Sequence, residues 1–158
     1  AECREYLGRT NAELKNRVQS AISNGWKVVY CVGETLDERE AGQTESVLTT
    51  QITGGLYELS EEDFAKVTIA YEPVWAIGTG KTCSSDDAQT ACGLIRQLVS
   101  SIIVSQELAE NTYIIYGGSS KPSNVQELCA MPDIDGLLVG GASLKPADFS
   151  TMINLLAR

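Results

Sequence analysis

Residues 67–82 read VTIAYEPVWAIGTGKT, and this stretch holds most of the fold information in the chain. Its first five residues form an almost continuous apolar run, which is typical of a strand covered on both faces in a parallel sheet. An acidic residue, Glu72, and a proline end the run, and a loop with two glycines follows. Because Trp75 and Ile77 are costly to expose on a loop, we expect the loop to fold over a ligand.

Three further apolar runs repeat this pattern on either side, at residues 27–32 (KVVYCV), 112–116 (TYIIY) and 136–139 (GLLV). The segments between the runs have the apolar spacing of helices, and Thr10 with Glu13 forms a capping-box pattern before the first run. The order is one helix and then four strand–helix units, which predicts an α/β fold with parallel strands. Such units build either a doubly wound sheet or a closed barrel, and the pattern alone favours neither.

The chain has 158 residues, with 12 Lys plus Arg against 21 Asp plus Glu and a net charge of −9. This balance argues against nucleic acid and anionic membrane surfaces as partners, because both attract basic patches. No apolar run approaches the ~18–20 residues of a membrane span, and residues 1–10 (AECREYLGRT) lack the apolar core of a signal peptide. Five widely spaced cysteines without a C-x-x-C pair are interpreted as reduced thiols in a reducing compartment.

Histidine is absent from the sequence, which excludes imidazole catalysis and histidine-ligated metal sites within this chain. Chemistry must therefore come from carboxylates, hydroxyls, lysines, thiols or backbone groups.

Two minor interpretations concern structural residues. Glu34 and Arg39 are expected to form a structural ion pair, and Trp26, Cys92 and Cys129 are expected to be packing residues.

Two double-glycine turns follow the third and fourth runs, at residues 117–119 (GGS) and 140–141 (GG). Each turn either permits a tight connection to the next helix or leaves backbone N–H groups free for an anion. Two such turns after consecutive strands favour a phosphate site. Glu72 also has two interpretations, as a salt-bridge or capping residue and as a general base whose pKa rises when the site closes.

Residues 70–82 (AYEPVWAIGTGKT) resemble the catalytic strand and lid of the triosephosphate isomerase family. Three more stretches match that family in order and spacing, at residues 31–39 (CVGETLDER), 116–119 (YGGS) and 136–144 (GLLVGGASL). The resemblance implies a (β/α)8 TIM barrel, of which this chain supplies the last four βα units. Residues 1–158 are then the C-terminal part of a single barrel domain.

The resemblance implies an isomerase of glycolysis and gluconeogenesis that interconverts dihydroxyacetone phosphate and glyceraldehyde 3-phosphate, with no metal or organic cofactor. Glu72 is then the catalytic base, under a lid formed by residues 73–83. The implied phosphate-binding residues are Gly78, Ser119, Gly140 and Gly141, and Glu2 matches a supporting carboxylate of the family. A small phosphorylated triose as ligand, a homodimeric parent enzyme and a cytoplasmic location follow from the same resemblance.

The family's lysine after the first strand and histidine after the fourth strand have no counterpart in this sequence. Without these electrophilic groups, we expect the isolated chain to have little or no isomerase activity. Four parallel strands cannot close a barrel, so two strand edges and an apolar inner face would be exposed. An alternative function is therefore a non-catalytic half-barrel that associates with itself or with a complementing N-terminal chain. A third interpretation, another phosphate-binding barrel enzyme, is disfavoured by the lid sequence.

Overall fold

A parallel four-stranded sheet forms the centre of the computed structural model, which describes residues 1–77, 79, 81–102 and 106–157. Its strands are β1 (Val28–Val32), β2 (Val67–Tyr71), β3 (Ile114–Tyr116) and β4 (Gly136–Leu137). They lie side by side in chain order, and every neighbouring pair is parallel. The predicted α/β class with a parallel sheet is therefore confirmed.

Strands β3 and β4 are shorter than the apolar runs that predicted them. Thr112 follows the last turn of the preceding helix, because its hydroxyl donates to Leu108 O at 2.8 Å. Beyond β4, Leu138 N–H donates to Tyr116 O at 2.8 Å. The hydrogen-bonded ladder therefore extends one residue past the assigned end of β4.

Helices connect the strands, and α2, α4 and α6 contact the sheet. The helices are α1 (Glu2–Leu7), α2 (Asn11–Ser23), α3 (Leu36–Glu40), α4 (Thr44–Leu56), α5 (Glu61–Phe64), α6 (Ser85–Ile102), α7 (Gln106–Asn111), α8 (Val125–Cys129) and α9 (Pro146–Leu156). The predicted capping box at α2 is confirmed, since Glu13 N–H donates to Thr10 Oγ1 at 3.2 Å and Thr10 N–H to Glu13 Oε2 at 2.8 Å. Single 3-10 turns lie at Val74–Ala76 and Gly141–Leu144.

The core lies between the sheet and its helices. Its largest fully buried side chains include Tyr71, Tyr116, Phe64, Leu48, Ile52, Ile69, Ile95 and Ile114. Alternate positions of a strand face opposite sides, so Tyr30 and Val32 are buried while Val29 is 51% exposed on the second face. Within the described residues, β1 and β4 each pair on one side only. The predicted open edges and exposed inner face are thus present.

Trp26 was predicted to be a packing residue, and this prediction was wrong. It is 68% exposed, because it lies in the turn between α2 and β1 at the amino edge of the sheet, where its N–H donates to Ala21 O at 3.0 Å. Cys92 is completely buried in α6, as predicted, and Cys129 is half-buried at the end of α8. No helix among the described residues is long and apolar enough to cross a membrane.

Candidate functional site

The carboxyl ends of the four parallel strands lie at one edge of the sheet, and Glu72 directly follows β2 there. Its N–H donates to Val32 O at 2.7 Å, which ties this residue to the end of β1. Its side chain is 14% exposed, and Glu72 Oε2 lies 3.2 Å from the nitrogen of Ala1. A nearly buried carboxylate therefore occupies the edge where parallel α/β folds carry their functional groups.

The glycine at position 117 makes room for that carboxylate. A Cβ atom on Gly117 would lie 2.6 Å from Glu72 Cγ and 3.3 Å from Glu72 Oε1. Favourable carbon–carbon contacts begin at about 3.5 Å, so any larger residue would displace the glutamate side chain. Gly117 N–H donates to Tyr71 O at 2.8 Å, which holds the turn after β3 against β2. This turn therefore determines where the Glu72 carboxylate lies.

Cys31 of β1 is a neutral neighbour of the same carboxylate. Burial raises the pKa of the Cys31 thiol to about 11, and the charge of Glu72 adds to the increase. The thiol therefore stays protonated at neutral pH. Its backbone carbonyl accepts a hydrogen bond from Arg4 Nη1 at 2.8 Å, while Arg4 Nη2 donates to Tyr30 OH at 2.6 Å. Arg4 thus attaches α1 to the strand beside Glu72.

Glu34 anchors the first part of the loop after Glu72. The Glu34 carboxylate is fully buried and accepts hydrogen bonds from Tyr71 OH at 3.0 Å and Trp75 Nε1 at 3.0 Å. Arg39 Nη1 lies 3.6 Å from Glu34 Oε1, so the predicted ion pair is confirmed. Arg39 also lies over the Trp75 ring at 4.6 Å and pairs with Asp87 at 2.9 Å.

Trp75 was expected to be covered when the loop folds over a ligand, and the structure instead buries it against residues of its own chain. Trp75 is 9% exposed, and its indole nitrogen has a buried acceptor, which satisfies the one polar atom of the side chain. Ile77, two residues later, is half-buried and lines a cleft. The loop after Glu72 consequently begins with a fixed base at Val74–Ala76.

A cleft of about 720 Å³ opens at the same edge of the sheet. Three segments and the first turn of α9 line it: the segments are the loop after Glu72, the turn after β3 and the turn after β4. The lining residues are Ala76, Ile77, Lys81, Thr82, Gly117, Gly118, Ser119, Ser120, Lys121, Pro122, Ser123, Gly140, Gly141, Ala142, Lys145 and Asp148. The structure thus brings together Ser119, Gly140 and Gly141. Glu72 lies behind the wall of the cleft at Gly117.

The two double-glycine turns leave backbone donors unused. Within the described part of the chain, the N–H groups of Ser119, Gly140 and Gly141 donate to no protein acceptor. The 3-10 turn Gly141–Leu144 begins at the cleft, and the first N–H groups of a helical turn have no acceptor within it. Unused N–H groups in a cleft are suited to an anion such as phosphate.

Besides Glu72, which lies behind Gly117, two more of the predicted site residues are not among the described residues that line this cleft. Gly78 lies outside the described residues. Glu2 is exposed in the six-residue helix α1 and does not line the cleft. In the residues that the structure describes, no group of three or more Cys, Asp or Glu side chains is arranged to hold a metal ion.

The sequence interpretation missed Tyr116, which is fully buried at the end of β3. Among the described residues, its hydroxyl is the one buried polar side-chain atom that has no hydrogen-bond partner. Burial, and then the nearby Cys83, raises the pKa of Tyr116, so the hydroxyl stays protonated. The available signal in the sequence was a tyrosine directly before a double-glycine turn. The two glycines have no side chains that could accept a hydrogen bond from the tyrosine hydroxyl.

Comparison with known proteins gives a consistent family match. The family model described as triosephosphate isomerase matches residues 1–156. Over 157 residues, 50% are identical to the triosephosphate isomerase of Geobacter metallireducens, covering 99% of this chain and 62% of that protein. The triosephosphate isomerase of Bacteroides fragilis is 49% identical over 154 residues, with 98% and 61% covered. That of Chlorobaculum tepidum is 50% identical over 153 residues, with 97% and 61% covered. The chain therefore spans about three fifths of the length of the curated relatives that it matches.

Proposed function

Because the chain belongs to the triosephosphate isomerase family, we propose that the full-length protein interconverts dihydroxyacetone phosphate and glyceraldehyde 3-phosphate. By full-length protein we mean this chain with whatever segments adjoin it in nature. One observation carries the proposal: the nearly buried Glu72 carboxylate packs directly behind Gly117, and Gly117 lines a cleft whose turns have unused backbone N–H groups. The arrangement pairs a base with an anion site.

In this proposal, Glu72 moves one proton between two carbons of the substrate. Its carboxylate removes a proton from the hydroxyl-bearing carbon beside the carbonyl group, which leaves an enediolate and a protonated Glu72. The hydroxyl proton passes to the former carbonyl oxygen, and Glu72 returns its proton to the former carbonyl carbon, so that the carbonyl and hydroxyl groups exchange places with no net change in electrons. A carboxylate positioned as a general base contributes about 10²–10⁴-fold to such a step.

The phosphate group of the substrate is proposed to bind at Ser119, Gly140 and Gly141, through their unused N–H groups. Gly78 is proposed as a further backbone donor from the lid. Backbone donors suit a chain with a net charge of −9, because they hold a dianion without a local excess of basic side chains. Glu2 is proposed as a supporting residue through the resemblance alone. No metal or organic cofactor takes part in the proposed reaction.

The 158-residue chain by itself is proposed to be inactive, since it contains no histidine and the sheet formed by its described residues has two open edges. By the family resemblance, the electrophilic groups that polarise the substrate carbonyl belong to the part of the relatives that this chain does not match. The homodimeric state and the cytoplasmic location are proposed on the same resemblance. The five cysteines are free thiols in the structure.

The test is isomerase activity with and without Glu72. A chimera that places the unmatched part of the Geobacter metallireducens relative before residue 1 supplies a defined full-length form. Glu72→Gln removes the base and should lower kcat by about 10²–10⁴-fold. Glu62→Gln makes the same chemical change at a side chain that is 89% exposed, and it should leave kcat unchanged. Equal activity of the two variants would exclude Glu72 as the base.

The half-barrel alternative is favoured by one observation, the exposure of Val29 on the uncovered face of the sheet. Light scattering of the purified 17.0 kDa chain distinguishes the two functions. An assembly role is supported if the isolated chain forms a stable oligomer of defined size and the full-length protein has no isomerase activity. Activity in the chimera, together with an inactive isolated chain, would support the proposed isomerase.

A further inference from the structure

Gln51 is a buried polar side chain that the proposed reaction does not use. It lies in α4 and is 8% exposed. Its carboxamide binds the backbone of Gly33 twice, because Gly33 N–H donates to Gln51 Oε1 at 2.9 Å and Gln51 Nε2 donates to Gly33 O at 3.0 Å. Neither backbone group of Gly33 has another hydrogen-bond partner among the described residues. A helix side chain therefore supplies both bonds that a neighbouring strand would otherwise make.

The backbone at Gln51 is itself fixed to β1. Tyr30 OH donates to Gln51 O at 2.8 Å, and both residues are buried. The tyrosine ring reaches α4 at Gly55, where a Cβ atom would overlap the Tyr30 hydroxyl. Because α4 cannot slide along β1 without breaking this contact, the carboxamide of Gln51 projects from a fixed point.

Gly33 is the residue at which the end of β1 packs against the backbone of Glu72. A Cβ atom on Gly33 would overlap Glu72 O and lie 2.5 Å from Glu72 C. Hydrogen bonds on both sides of Gly33 fasten the same segment. Glu72 N–H donates to Val32 O at 2.7 Å, and Val74 N–H donates to Glu34 O at 3.0 Å. A displacement of Gly33 would therefore move the backbone that carries the proposed base.

We infer that Gln51 is a positioning residue for Glu72, which holds the end of β1 where Gly33 packs against the Glu72 backbone. This inference rests on the proposed function, because it concerns the base of that reaction. Gln51 does not line the cleft. It acts on the reaction through the backbone of Gly33 and Glu72, and it leaves the phosphate-binding turns unchanged. A role in folding alone would instead lower stability and leave kcat unchanged.

The size of the effect follows from the precision that proton transfer requires. Gln51→Met keeps the length of the side chain and removes both bonds, so a buried N–H and a buried C=O of Gly33 lose their partners. Gly33 can satisfy them only by moving, and a displacement of about 1 Å at a catalytic group costs about 10²-fold in rate. We therefore expect kcat to fall by about 10-fold to 10²-fold, with KM within about twofold of the parent.

The experiment uses the full-length chimera and two readouts. Steady-state kinetics give kcat and KM, and amide hydrogen exchange reports the N–H groups of Gly33 and Glu72. Gln89→Met is the matched control, because the Gln89 carboxamide in α6 also makes two bonds, from Asp133 N–H at 3.0 Å and to Asp133 Oδ2. Gln89 does not line the cleft. Gln51→Asn, whose amide is one methylene too short for both bonds, replaces Gln51→Met if that variant does not fold.

In Gln51→Met we expect the lower kcat together with exchange at Gly33 and Glu72 that is at least about tenfold faster. Gln89→Met should lower the melting temperature and keep the parental kcat and the parental exchange at both residues. The inference is overturned if Gln51→Met loses melting temperature alone, since Gln51 would then serve folding only. Equal losses of kcat in the two variants would also overturn it, because any lost buried amide bond would then slow the reaction.

Failure of the proposed function is recognised separately. If the parent chimera has no isomerase activity, the proposed function fails, and the exchange of Glu72 N–H decides the inference by itself. Exchange that is faster in Gln51→Met and unchanged in Gln89→Met would show that Gln51 holds the Glu72 backbone. Unchanged exchange in Gln51→Met would overturn the inference whatever the activity.

Discussion

Substitution of Gly117 by alanine tests whether the turn after β3 positions the Glu72 carboxylate. The new Cβ would lie 2.6 Å from Glu72 Cγ, 3.3 Å from Oε1 and 3.4 Å from Cδ. Since carbon atoms pack at about 3.5–4.0 Å, the glutamate side chain must move by about 1 Å. The backbone at residue 117 is not left-handed, so alanine introduces no strain of its own. The predicted effect is therefore confined to the carboxylate.

A displacement of 1 Å at a catalytic group costs about 10²-fold in rate. We expect Gly117→Ala to lower kcat of the full-length protein by that factor, with a smaller effect on KM, because the phosphate-binding turns stay in place. Overpacking should reduce the free energy of unfolding by about 1–3 kcal/mol. The assay is the coupled isomerase reaction, accompanied by urea unfolding to separate the two effects.

The matched control is Gly136→Ala in β4, where a new Cβ would meet Ile115 Cγ2 at an ordinary 3.4 Å. This variant should keep both its activity and its stability. The reasoning is refuted if Gly117→Ala is fully active while it remains folded, because the Glu72 side chain would then reach the substrate from more than one position. A parallel loss of kcat in Gly136→Ala would also refute it, since any added methyl group near the sheet would then have the same effect.

Two further predictions concern buried groups near the site. Tyr116→Phe removes a buried hydroxyl that has no hydrogen-bond partner among the described residues. Urea unfolding should therefore show an unchanged or slightly increased free energy of unfolding. A decrease of more than about 1 kcal/mol would contradict this, because it would reveal a hydrogen bond to that hydroxyl. Cys31 should make stability depend on alkaline pH, because burial and then the Glu72 charge raise its pKa from 9.0 to about 11 in the folded state. The folded state therefore holds its thiol proton more tightly than the unfolded state does, so the contribution of Cys31 is complete below pH 9 and is lost as the pH rises towards 11. Thermal unfolding from pH 8 to pH 11 should show a shallower decline for Cys31→Ala than for the parent, and identical slopes would contradict the prediction.

Much of the fold was predictable because its signals are local. Apolar runs marked the four strands, since strands buried on both faces lack polar positions. The capping box at Thr10 and Glu13 lies within one helical turn, so it could be recognised without any knowledge of the neighbouring elements. The family resemblance likewise depended on continuous stretches such as residues 70–82.

The candidate site was predictable only in part. The turns after β3 and β4 could be paired in advance, because the carboxyl ends of parallel strands share one edge of the sheet. The sequence did not reveal that Glu34, 41 residues earlier in the chain, accepts the hydrogen bond of the Trp75 indole, and Trp75 was therefore expected to be covered only when the loop folds over a ligand. It also gave no indication that Trp26 projects from a turn at the amino edge.

Local chemistry therefore determined the strands, the helix starts, the glycine turns and the acid that follows β2. Contacts between distant segments determined the rest. The position of the Glu72 carboxylate depends on the missing side chain at Gly117, 45 residues later in the chain, and the burial of Trp75 depends on the acceptor that Glu34 supplies, 41 residues earlier. Neither property is carried by the residue itself, because a contact distance and a hydrogen-bond partner exist only once the folded chain has set its neighbours.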